Sequence, residues 1–190
     1  MALPKPAIPV FSMRAPLRSD SAVLLTGRNS QQVHPFLFGN HTITMDEHRK
    51  WLENRLADKD KPIFLLLQDN KPLGLVNLTH LDKEHKRGEW AFWIWAPDAP
   101  KGAGTAMLAA FLDELFLHRG LRKLCALVLV SNKRSLHLHK KLGFVEEGML
   151  KKHVLKKGEP QDAIAFAIFD DVWKDHRKKF ASAIASVELA

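Results

Sequence analysis

The chain has no tyrosine among its 190 residues and a single cysteine, Cys125. The first absence removes the phenol from any acid–base chemistry, and the second excludes a disulfide framework and a Cys-rich zinc site. Cys125 lies inside the apolar run Leu124 to Val130 and reads as a core residue rather than a nucleophile. A reducing, cytoplasmic setting is expected. No apolar stretch is long enough to span a membrane, and Met1 to Val10, with three prolines, holds no apolar segment of signal-peptide length. Internal repeats and low-complexity segments are missing too. So are the full Rossmann glycine pattern and the Gly-Lys-Ser/Thr ending of a P-loop.

What remains is the composition of a folding domain. Hydrophobic residues make up 46% and charged residues 26%, too apolar for disorder, and the length suits one domain. The formal net charge is +8. A basic surface attracts any polyanion, phosphorylated cofactors and nucleotide-linked substrates included. The basic runs Lys83 to Arg87, Lys133 to Lys141, Lys151 to Lys157 and Lys174 to Lys179 read as solvated faces. None carries a nucleic-acid-binding signature, so no nucleic acid, membrane or metal partner is expected.

Helices and strands alternate along the chain, predicting an α/β fold with a mixed sheet. Ile8 to Arg14 alternates as a first strand, and Asp20 is placed to cap a short helix toward Gly27. Thr44-Met45-Asp46-Glu47 is a capping box opening a helix to about Leu56. On it His48, Trp51, Leu52 and Arg55 fall at spacings of three and four and share one face. Ile63 to Gln68 and Leu73 to Leu78 form a hairpin through Asp69-Asn70-Lys71-Pro72, and Glu89 to Trp95 adds a further antiparallel arm. A helix follows whose Leu108, Phe111, Leu112 and Leu115 make an apolar stripe ending near Gly120. Leu124 to Val130 is apolar on both faces, as a parallel central strand requires. A helix from Ser135 to Leu142, strands Phe144 to Leu155 and Ala163 to Phe169, and a basic helix over Asp171 to Ala190 complete the pattern.

Two segments carry chemistry. In Lys101-Gly102-Ala103-Gly104-Thr105 the glycines let a ligand approach the backbone, and the unpaired first-turn amides of the helix that follows form an anion site suited to a diphosphate. An ordinary strain-relieving turn would look the same. About thirty residues on, a buried strand ends in Ser131-Asn132-Lys133-Arg134-Ser135 and leads into a helix closed by Gly143-Phe144.

With both motifs in this order the sequence resembles the GNAT superfamily of N-acetyltransferases over roughly Arg14 to Phe169. The first motif matches that family's acetyl-CoA loop except at Ala99. The second matches at Asn132, Ser135, Leu138, Gly143 and Phe144. The resemblance implies a GNAT-like fold with splayed central strands, residues 1–13 as an arm and first strand, 14–170 as the acetyltransferase domain and 171–190 as a basic helix. It implies acetyl-CoA as donor, held by Trp95, Lys101, Gly102, Ala103, Gly104, Thr105, Ala106, Asn132 and Ser135. The wedge for the pantetheine arm would lie between Trp90 to Trp95 and Leu124 to Val130, and transfer to the amine would be direct. The family places its thiolate-protonating tyrosine where this chain has His139. An imidazolium there would act as the acid, or His139 is simply packed. Glu89 is the best carboxylate for a base, or else a surface residue.

The front half resembles the nucleotide-sugar N-acetyltransferases of pseudaminic acid biosynthesis and, less closely, ribosomal-protein N-terminal acetyltransferases. The shared pattern is Arg28-Asn29 followed by Val33, Ile43 and Glu47-His48-x-x-Trp51. That likeness implies a small-molecule acceptor, a UDP-linked 4-amino-4,6-dideoxy sugar, met by Arg28, Asn29, His48, Trp51, Thr79 and Trp93. For each of these, core packing or a surface ion pair is the alternative. Peptide acceptors are disfavoured where basic, by like-charge repulsion. A non-catalytic acyl-CoA-binding domain and a homo-oligomer stay open.

Overall fold

The computed structural model describes residues 10–189. Of the first-strand expectation, Ile8 and Pro9 lie outside the described residues. Strand β1 is Phe11–Arg14, followed by helix α1 (Ser21–Asn29) and helix α2 (Met45–Ala57). Asp20 precedes α1 without capping it. Its carboxylate instead accepts from the Leu17 amide and from the Arg14 guanidinium, at 2.6 and 2.7 Å, because those stronger donors face it across the turn. At α2 the expected reciprocal cap forms, Thr44 accepting from the Glu47 amide while Glu47 accepts from the Thr44 amide.

Strands β2 (Ile63–Gln68), β3 (Lys71–Asp82) and β4 (Arg87–Ile94) make an antiparallel meander. Helix α3 (Ala103–Asp113) crosses over to β5 (Lys123–Leu129), which runs parallel to β4. Helix α4 (Lys133–Leu142) leads to the hairpin β6 (Val145–Lys156) and β7 (Glu159–Phe169). The eight-stranded sheet has the order β6-β7-β5-β4-β3-β2-β1-β8.

Helices cover both faces, which makes two cores. On one face Val76, Trp90, Leu124 and Phe166 pack with Met107 and Phe111 of α3. On the other, Leu65, Leu75 and Trp95 pack with Leu24 of α1 and Leu52 of α2. Burial of this kind is what holds the layers together, at ~25 cal/mol per Å² of apolar surface removed from water.

The tail departs from a single basic helix. It forms α5 (Asp170–His176), a 3₁₀ turn, α6 (Ala181–Ala185) and a short strand β8 (Val187–Leu189) parallel to β1. Its lysines are solvated, but Trp173 and Phe180 are buried against the α3 layer. That covering explains why α3 is buried on every side from Ala106 to Asp113 rather than along one stripe. Asp113, buried there, accepts from the Trp173 indole at 2.8 Å and from Arg177 Nε at 2.9 Å.

Candidate active site

Strands β4 and β5 pair only over Arg87–Glu89 and Lys123–Cys125. Beyond Glu89 and Cys125 they part, and a cleft of about 360 Å³ opens between them. Phe92, Trp93, Leu127 and Leu129 line its walls, and Asn132 and Ser135 lie at one end. The wedge expected from sequence is therefore a feature of the sheet. The unpaired edges and the 41% exposed Leu127 mark where two central strands leave backbone and apolar surface available to a guest.

Helix α3 begins beside the end of β4 and against α4, a Cβ at Gly104 lying 3.8 Å from Ile94 and 3.9 Å from Leu138. Gly102 has φ +101°, a left-handed conformation that disfavours any side chain, and Ala103 closes a turn on the Pro100 carbonyl at 3.0 Å. The first helical bond joins the Ala106 amide to the Gly102 carbonyl, and among the described residues the Gly104 and Thr105 amides donate to no backbone carbonyl. A Cβ on Gly104 would meet nothing nearer than Ile94 Cγ1 at 3.8 Å, so the protein's own packing does not demand glycine there. Free amides, an open approach and the positive end of a helix fit a diphosphate. Lys101 stands exposed beside them, and Lys141 Nζ donates to Thr105 Oγ1 at 3.2 Å.

Asn132 caps α4 by accepting from the Ser135 amide at 3.1 Å, so this second helix N-terminus faces the cleft. Trp95 does not. Its ring is buried under α1, where Gly27 has no room for even a methyl, a Cβ falling 2.4 Å from the indole. Alternation along β4 sends Trp93 and Trp95 to the α1–α2 face, and Trp95 is the deeper of the two.

His139 is 2% exposed and ringed by Trp90, Phe92, Phe144 and Phe166. The Trp90 indole donates to its Nε2 at 3.2 Å, and its Nδ1 lies 2.8 Å from the Ser135 carbonyl. An indole only donates and a carbonyl only accepts, so Nε2 holds a lone pair and Nδ1 the proton. Burial pushes the imidazole down to about 4, against a partial upward pull from the Ser135 carbonyl. Of the two readings open from sequence, an acid imidazolium or a packed ring, these surroundings favour the neutral ring, because protonation would set two N–H groups against each other in an apolar cage.

Glu89 is exposed at the point where the strands part and lines the cleft. Thr79, also exposed, donates its hydroxyl to the Glu89 carbonyl at 3.0 Å, supplying a sheet bond beside the bulge between Leu78 and His80. Asn29 uses both ends of its amide on the Ile43 backbone, at 2.8 and 3.2 Å, and so ties off the loop between α1 and α2. His48 is buried on the α2 face expected for it, with Trp51 tilted against it at 5.3 Å. Its burial, and then Arg28, keep the imidazole below its usual range. Arg28 is half-buried and, among the described residues, makes no ion pair with a carboxylate; burial lowers its pKa too.

Sequence reasoning missed the loop Phe36 to Phe38, which lines the cleft, and the lysine that holds it. Lys156 at the β6–β7 turn donates Nζ to the Leu37 and Gly39 carbonyls at 2.7 and 3.0 Å. Three apolar residues between His34-Pro35 and Gly39, in a stretch with no helical or strand period, were the available signal. Among the described residues no cluster of His, Cys, Asp or Glu is arranged to hold a metal ion, and no helix is long and apolar enough to cross a membrane.

Comparison with known proteins agrees with this geometry. The GNAT acetyltransferase domain model matches residues 11–145. A prophage-derived uncharacterized N-acetyltransferase of Bacillus subtilis, YokL, is 32% identical over 63% of this chain and 68% of its own length. The spermidine N(1)-acetyltransferase of Vibrio cholerae is 27% identical over 80% of this chain and 88% of its own. Campylobacter jejuni PseH is a more distant relative, 23% identical over 62% and 71%. The crystal structure of spermidine N-acetyltransferase from Vibrio cholerae in complex with CoA and spermine superposes with a TM-score of 0.80 at 25% identity, covering 86% of this chain and 98% of that one. Parted central strands, a glycine-led helix end open to a diphosphate and a family match over most of the fold lead to one assignment: the chain belongs to the GNAT family and is an acetyl-CoA-dependent N-acetyltransferase.

Proposed function

We propose that the acetyl acceptor is the amino group of a small, oxygen-rich anionic molecule, of the type of a UDP-linked 4-amino-4,6-dideoxy sugar. The observation that carries this is a set of donors on and near the cleft: Trp93 lines it, and Arg28, outside the lining, lies close to His48 and Lys156. Arg28 is a half-buried cation with no carboxylate partner among the described residues. The Trp93 indole N–H is buried and has no acceptor among the described residues. An indole can only donate, so its partner must be an acceptor atom such as a sugar, phosphate or carbonyl oxygen, and a guanidinium without a carboxylate is matched by phosphate or carboxylate. Lys156 adds positive charge nearby, its pKa lowered by burial and by Lys157 and Arg28. Exposed Phe36 and Phe38 offer aromatic faces to a base or a methylated sugar.

Glu89 receives the proton that the amine sheds, directly or through one water, and the α3 amides anchor the donor's diphosphate. Direct attack needs no enzyme nucleophile, in keeping with a Cys125 thiol that burial pushes up.

Similarity to spermidine acetyltransferases favours a second reading, a polyamine acceptor. A polyamine carries several positive charges and needs carboxylates, whereas Glu47 is committed to Thr44 and His41 and Glu89 stands alone in the cleft lining. Competition between a UDP-4-amino sugar, spermidine and an N-terminal peptide, with acetyl-CoA as donor and free thiol as readout, decides. A larger kcat/KM for the UDP-sugar supports the proposal; preference for spermidine replaces it with the polyamine reading.

A further inference from the structure

The residue at the family's acid position is held in a way that suits a different task. Trp90 belongs to β4, one of the two strands that part, and His139 to α4, the helix whose N-terminus faces the cleft. Both residues belong to the lining of the cleft, and the 3.2 Å bond between them joins one wall to the other. On its other side the His139 ring is fixed to its own helix through the Ser135 carbonyl, and Ser135 itself lines the cleft. Phe166 of β7 stacks on the ring at 5.4 Å, and Phe144 meets it edge-on at 4.9 Å. Strand β4, helix α4 and strand β7 are thus joined at one side chain.

We infer that His139 is a positioning residue and not a proton donor: as a neutral imidazole it locks Trp90 and α4 together and so fixes the separation of the cleft walls. Its only ring proton is engaged by a carbonyl, and a neutral imidazole is far too weak an acid to give it up. The groups that contact the ring, Trp90, Phe92, Phe144, Phe166 and Ser135, carry no ionising side chain to relay a proton near neutral pH. The transfer balances without it. The amine nitrogen forms its bond to the thioester carbon, the carbon–sulfur bond breaks with its electron pair on sulfur, Glu89 takes the proton lost by nitrogen, and the sulfur takes up a proton from water, which Glu89 returns to solvent. A thiol is a far stronger acid than an amine or alcohol, the cysteine thiol ionising at ~8.5, so a thiolate can leave without being protonated first.

The test compares wild type with His139→Gln, which keeps an acceptor and a donor but cannot titrate, and His139→Phe, which leaves the Trp90 N–H bare. Rates are measured from pH 5.5 to 8.5 with acetyl-CoA and whichever of the UDP-4-amino sugar or spermidine is turned over. The kcat profile of His139→Gln should follow that of wild type in shape and lie within about threefold of it. His139→Phe should raise the KM for acetyl-CoA about tenfold with a much smaller change in kcat, as expected of a displaced wall. A fall of about 10²-fold in kcat for His139→Gln, or a limb of decreasing activity with rising pH that only wild type shows, would overturn the inference. Nitrogen-15 histidine NMR of the unaltered protein gives an answer even if a variant fails to fold. The expected result is a His139 ring with a bare Nε2 and a protonated Nδ1, unchanged from pH 5.5 to 8; a ring that titrates between pH 6 and 7 overturns it.

Discussion

Glu89 and Cys125 are the last residues that β4 and β5 bring face to face. Three registered pairs hold the two strands parallel up to that point, and past it each goes to a different neighbour: β4 stays with β3, and β5 with β7. The acetyl-transfer cleft exists because those outer pairings continue while the central one stops. The carboxylate assigned to the amine's proton therefore sits at the apex of the opening.

Gly104→Val should weaken acetyl-CoA binding by 10-fold or more while leaving the fold intact. The free space around Gly104 within the protein means the new side chain meets little of the chain itself, but it projects beside amides assigned to the diphosphate. Calorimetric titration with acetyl-CoA checks this, and unchanged affinity in a folded variant removes the turn from the donor site.

Arg28→Ala and Trp93→Phe should raise the KM for an anionic acceptor, each by about 10-fold, the worth of one charge-assisted or one buried hydrogen bond of ~1.5 kcal/mol. The KM for acetyl-CoA should not move. Kinetics with the UDP-4-amino sugar test it; a lowered KM for spermidine in Arg28→Ala, with no effect on the sugar, would instead place a cation in that position.

Acid should destabilise the protein through His139. The unfolded imidazole takes up its proton below about 6.5, whereas the folded one waits until about 4. Between those values the unfolded chain binds more protons, so stability is intact above pH 6.5 and is lost as pH falls through the window, by ~3 kcal/mol at its end. Urea unfolding of wild type and His139→Gln at pH 7 and 4.5 isolates the contribution, and the variant should lose less stability on acidification. Equal losses would mean that His139 protonates without penalty.

Asp113→Ala should cost about 3 kcal/mol. The substitution strands the buried Trp173 indole and the Arg177 guanidinium that Asp113 holds at 2.8 and 2.9 Å, detaching the tail from α3. A clear drop in Tm with unaltered acetyl-CoA affinity is the expected pattern.

Much of this was legible in the chain itself. The capping box at Thr44, the left-handed stop at Gly143 and a hairpin turn at Asp69-Asn70 are local effects that local sequence determines. The turn is two residues, with φ of 49° and 61°, rather than the expected four from Asp69 to Pro72, because β3 already pairs from Lys71. The doubly apolar β5 announced a central strand, and the motifs around Gly102 and Asn132 marked two helix N-termini. Tertiary structure decided the rest. Nothing in the residue types says that Trp95 is buried under Gly27 of α1 while Trp93, on the same face, also reaches the cleft, since that depends on where α1 crosses the strand. The tail's lysines masked Trp173 and Phe180, whose burial needed α3 as a partner. Lys156 reaches the Leu37 loop across 119 residues of sequence, a contact that no local pattern encodes. The state of His139 was decided the same way. The sequence placed a histidine at an acid's position, but a proton's affinity is set by what surrounds the ring, and only the folded chain closes Trp90, Phe144 and Phe166 around it.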